Sequence, residues 1–74
     1  MLVSGHVYLI TVIGEMDETL RERFDDVEVT VANGVSRLRV TCPDPSVLHG
    51  ILHRIDAYGL ELLDVRPIDE TPAD

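Results

Sequence analysis

Residues 7–13 read Val-Tyr-Leu-Ile-Thr-Val-Ile. Successive side chains of a strand point to opposite faces, so Val7, Leu9 and Ile13 line one side of this segment and Tyr8, Ile10 and Val12 the other. A strand covered on one side alternates apolar and polar residues. This one is apolar on both, which predicts that something covers both of its faces. The strand is expected over His6 to Ile13 and ends at Gly14.

The pattern then changes period. Met16, Leu20 and Phe24 recur every four residues and predict a short helix with a narrow apolar stripe. Asp17 is placed to cap it, with Glu18 at the positive end of the dipole and Arg21 and Arg23 toward the negative end. After Asp25-Asp26, the run Val27-Glu28-Val29-Thr30-Val31 alternates as a half-buried strand does. Asn33-Gly34 is a two-residue hairpin signal. The return strand, Val35 to Cys42, sets Leu38 and Val40 on one side and Arg37, Arg39 and Thr41 on the other.

A second helix is marked at both ends. Asp44 is an N-cap candidate, Pro45 suits the first helical position, and Gly59 provides a stop. Leu48, Ile51, Leu52 and Ile55 hold the spacing of one helical face. A last strand spans Leu60 to Ile68, with Leu63 and Val65 on one side and Leu62, Asp64 and Arg66 on the other. The order β-α-β-β-α-β predicts an α+β, ferredoxin-like domain over residues 1–68. Two helices would cover one face of a four-stranded antiparallel sheet in the spatial order 4-1-3-2. Residues 69–74 are acidic, contain Pro72 and are expected to form a flexible tail.

The other sheet face is left open. The expected occupants are Tyr8, Ile10, Val12, Arg37, Arg39, Leu62, Asp64 and Arg66. A patch built on Tyr8, Ile10, Val12 and Leu62 is larger than a small monomer should expose. These four are the expected interface residues of a homodimer, and Arg37, Arg39, Asp64 and Arg66 its polar surround or a site for a carboxylate ligand. The bland reading of the charges is a solvated ladder of cross-strand ion pairs, with Glu28 included.

Composition narrows the partners. The chain has 74 residues, enough for one domain with a marginal core, which favours oligomerisation. An apolar share of 45% argues against disorder. Fourteen acids face six bases, a net charge of -8, so nucleic acid and anionic membrane surfaces are disfavoured partners. One cysteine, Cys42, rules out an internal disulfide and fits a reducing compartment. No signal-peptide pattern and no membrane-length apolar run is present, so a cytoplasmic location is expected.

Candidate chemistry is sparse. His49, His53 and Asp56 share a stripe of the second helix, where two histidines one turn apart can chelate a metal. The competing reading, a solvated polar flank, needs no metal, and no cofactor is expected. Cys42 lies just before the second helix, where a thiolate would be stabilised, yet a lone cysteine is more often a small buried hydrophobe. Gly50 falls on the outward side of that helix. No Met-x-Cys-x-x-Cys, no phosphate loop and no pair of exposed aromatics on the central strands is present.

The stretch Arg37 to Ile68 resembles the strand-helix-strand half of an ACT domain. The matching residues are Leu38-Arg39-Val40-Thr41, Pro43-Asp44-Pro45, Leu48 with Ile51, and Gly59-Leu60. The unit stands second here rather than first, and prolines bracket Asp44 where ACT domains have a glycine. The resemblance therefore implies the fold and a tendency to pair through sheets. The whole chain also looks like short bacterial proteins of similar length. The leading expectation is a non-enzymatic association or regulatory module that dimerises through its sheet and senses a small ligand or binds a partner protein. The alternatives are a small enzyme of the dimeric α+β barrel type, with an apolar cavity between subunits, and a metal-buffering protein using His49, His53 and Asp56.

Overall fold

Six elements follow one another in the computed structural model, which describes residues 6–68. They are β1 (His6–Ile13), α1 (Glu18–Glu22), β2 (Glu28–Ala32), β3 (Val35–Cys42), α2 (Pro45–Ala57) and β4 (Glu61–Ile68). The expected acidic tail lies outside the described residues. The strands form one antiparallel sheet in the order β2-β3-β1-β4. This is the ferredoxin-like α+β arrangement, with β1 and β3 at the centre.

Local chemistry accounts for the element ends. The Asp17 carboxylate accepts from the Leu20 amide at 2.8 Å and starts α1. Asp44 accepts from the Ser46 amide at 2.9 Å and from the Ser46 hydroxyl, and Pro45 opens α2. The hairpin between β2 and β3 needs positive φ at both central residues, and Asn33 and Gly34 adopt 57° and 82°. Gly59, at φ 74°, turns the chain out of α2.

Both helical segments pack on the same side of the sheet. Ile51 and Ile55 from α2 join Met16 and Phe24, which flank α1, against Ile10, Val12, Leu38, Val40 and Cys42. Phe24 is fully buried and meets the Tyr58 ring edge-on at 5.6 Å between centroids. The Arg54 guanidinium sits 4.6 Å from the Phe24 centroid, donates to the Arg23 carbonyl and pairs with Asp26 at 3.4 Å. One arginine thus joins α2 to the loop that follows α1, through a stacked cation and two polar contacts.

The face assignment of β1 differs from the sequence expectation. Ile10 and Val12 are fully buried beneath the helices, and Tyr8 packs against the same cluster. Register explains this. Tyr8, Ile10 and Val12 stand opposite Val40, Leu38 and Ser36 of β3. Paired residues of neighbouring strands share a face, and Leu38 and Val40 are committed to the helix side by the arginines that alternate with them. The open face of β1 therefore carries Val7, Leu9, Thr11 and Ile13.

Candidate functional site

The side of the sheet that no helix covers among the described residues is the candidate site. Strand pairing places Leu9 opposite Arg39 and Arg66, and Thr11 opposite Arg37 and Asp64. Glu28 and Thr30 of β2 stand opposite Arg39 and Arg37. The expected polar set of Arg37, Arg39, Asp64 and Arg66 is brought together here. The expected apolar set is not. Ile10 and Val12 belong to the core, Tyr8 packs against it, and Leu62 pairs with Val12 and is 46% exposed.

A bulge corrects the last strand as well. The β1–β4 register shifts between Thr11 and Val12, leaving Leu63 as the extra residue between Leu62 and Asp64. Leu63, expected among the helix-facing residues, instead lines the open face and is 57% exposed. Beside the bulge, Leu9, Thr11, Arg37, Leu63, Asp64 and Arg66 surround a hollow of about 280 Å³.

The charges on this face are arranged unequally. Arg66 donates from Nε to Asp64 at 3.0 Å, and Arg39 lies 3.8 Å from the Glu28 carboxylate. Arg37 is exposed and has no ion-pair partner among the described residues. Thr11 is only 8% exposed, yet its hydroxyl has no hydrogen-bond partner among the described residues. Among the described residues no sealed side-chain nitrogen or oxygen is left unsatisfied, so this unused capacity opens on the hollow and not on the core. The missed members of the site, Leu9 and Thr11, carried a signal: Thr11 is the one polar residue of the run 7–13 and is in phase with Leu9 and Ile13.

The remaining candidates separate from this face. His49, His53 and Asp56 are exposed on α2, and among the described residues no three His, Cys, Asp or Glu side chains are grouped to hold a metal. Cys42 is buried, and burial, followed by the Asp44 carboxylate, pushes its thiol above the ordinary value. That direction opposes thiolate formation. Asp44 itself is held below the usual carboxylate range by the Ser46 hydroxyl and then the Ser46 amide. A second hollow of about 360 Å³ lies beside Asp17, Leu20, Arg23 and Tyr58. Thr19 lines it as well; Asp17 caps α1 and Arg23 lies 5.9 Å from the Tyr58 ring centroid, while the Thr19 and Tyr58 hydroxyls have no hydrogen-bond partner among the described residues.

Among the described residues no helix is long and apolar enough to cross a membrane. No curated protein and no solved structure matches the chain. One family model matches residues 7–66, from the first strand into the last, and the chain therefore belongs to the family described as Domain of unknown function (DUF8691).

Proposed function

We propose that this chain is a non-enzymatic association module, two copies of which pair through the open faces of their sheets. The observation that carries this reading is the open face itself. Leu63 and Ile13 are 57% and 44% exposed there, beside half-buried Leu9. These residues would supply the dry centre of an interface rimmed by charge.

Charge favours a second copy as the occupant. The face carries Arg37, Arg39 and Arg66 together with Glu28, Glu61 and Asp64, so its charges balance. The chain as a whole carries a net charge of -8. Two copies repel in most orientations and repel least face to face. Both signs on one surface also make it self-complementary under a two-fold axis.

Edge pairing is less well served. The outer strand β4 contains Pro67, which has no N–H to donate, and its bulge breaks the ladder. The other outer strand, β2, has five residues.

The test is the mass of untagged protein by native mass spectrometry, with sedimentation equilibrium in solution. A dimer is expected, and Leu9→Asp together with Leu63→Asp should yield a folded monomer. A wild-type monomer, or a dimer indifferent to both substitutions, would sink the reading.

A further inference from the structure

We propose that the hollow over Thr11 binds a short aliphatic monocarboxylate. Three features of the site lead there. The Arg37 guanidinium is unpaired and presents a planar fork that matches a carboxylate with two parallel hydrogen bonds. Thr11, 8% exposed, lines the same hollow, and its hydroxyl is a second donor. Leu9 and Leu63 form apolar walls. Four of the six lining residues are polar or charged, so the site pairs an aliphatic side with a polar one, as an amphipathic small ligand requires.

Charge and size choose the ligand class. Arg66 is engaged by Asp64 at 3.0 Å, which leaves Arg37 as the one uncommitted cation lining the hollow among the described residues. The Asp64 carboxylate also lines it and repels a second negative charge. A monoanion fits these conditions and a phosphate dianion does not. The volume of about 280 Å³ lies just below the range of drug-sized sites and suits a short chain. The binding groups all belong to one chain. Closure of the hollow by a second copy rests on the pairing proposed above, and it would make the carboxylate a ligand of the dimer boundary.

Titration of the full chain with 3-methylbutanoate at constant ionic strength, followed by amide chemical shifts, tests the site. Acetate lacks the branched chain, and 3-methylbutan-1-ol lacks the charge. Saturable binding of 3-methylbutanoate is expected, with shifts centred on Leu9, Thr11 and Leu63, and at least tenfold weaker binding of both controls. Arg37→Gln, at an exposed position, and the isosteric Thr11→Val should each weaken binding about tenfold while leaving the spectrum folded. Equal binding of the three probes, or unchanged binding in Arg37→Gln, would overturn the proposal. Sedimentation with and without 3-methylbutanoate separates the two readings. Saturable binding by a monomer keeps the site and removes the pairing. A dimer that binds nothing keeps the pairing and removes the site.

Discussion

The Ser36 hydroxyl donates to the Gly14 carbonyl at 2.8 Å while accepting from the Met16 amide at 2.9 Å, with Ser36 fully buried. A single side chain of β3 thus holds the loop that leaves β1 and carries Met16 into the core. Gly14 adds a bond from its amide to the Gly34 carbonyl at 2.7 Å, and Glu15 accepts from the Gly34 amide at 2.9 Å. Ser36→Ala would leave a buried amide and a carbonyl without their partner. The expected loss is about 1–3 kcal/mol, read as a lower urea midpoint with an unchanged slope. An unchanged midpoint would show that this hydroxyl is dispensable.

Neighbouring residues of β1 should respond in opposite ways to the same charge. Ile10→Asp places a carboxylate where the wild-type side chain has no exposure, and the core cluster contains no cation among the described residues. Loss of the folded circular dichroism spectrum is expected at neutral pH. Leu9→Asp, one residue earlier and on the open face, should keep the fold and change only association or ligand binding. Two folded proteins would contradict the facing described for β1.

Gly50 offers a stabilising change. It lies inside α2, is exposed, and a Cβ built there meets no atom within 4 Å. Gly50→Ala should raise stability by about 1 kcal/mol through helix propensity. In a domain of this size that corresponds to a melting temperature higher by roughly 4–8 °C. A lower melting temperature would reveal a contact made by that face of the helix, such as a packed neighbour.

The two shifted groups give stability opposite dependences on pH. Cys42 has a raised folded pKa, so its neutral thiol favours the fold below the ordinary thiol pKa, and this contribution is lost as pH rises through the folded value. Asp44 has a lowered folded pKa, so its contribution is present above the ordinary carboxylate pKa and is lost as pH falls through the folded value. Urea midpoints of wild type and Cys42→Ala should therefore diverge in mildly acid-to-neutral against strongly alkaline buffer, the wild type falling more steeply. Iodoacetamide should label Cys42 slowly in the native protein at neutral pH and quickly in urea. Fast native labelling would mean that the thiol is accessible and ionised.

Much of the fold was legible because local rules and global packing agree. Asp17, Asp44 with Pro45, Asn33-Gly34 and Gly59 each mark an element end by the chemistry of a few adjacent residues, and all four stand where the local signal put them. The strand order follows from the element order, since two βα crossovers and one hairpin leave few ways to build a single antiparallel sheet. The polar half of the candidate site was legible too, because Arg37 and Arg39 alternate with Leu38 and Val40 and cannot both be buried.

What the chain alone determined is that β1 has two apolar faces and that one of them must lie outside the core. Periodicity left only one weak mark of which face that is, Thr11 in phase with Leu9 and Ile13, because a shift of one residue exchanges two otherwise apolar sets. Only pairing with β3 decided it: Ile10 faces Leu38 and Val12 faces Ser36, so both follow their partners under the helices. The bulge at Leu63 is likewise a tertiary event, since one extra residue in β4 has no mark in the local sequence and becomes visible only against the register of β1. Together these two features exchanged Tyr8, Ile10, Val12 and Leu62 for Leu9, Thr11, Ile13 and Leu63 on the open face. The physical reason is the same in both cases: a strand's parity belongs to the sheet, not to the strand.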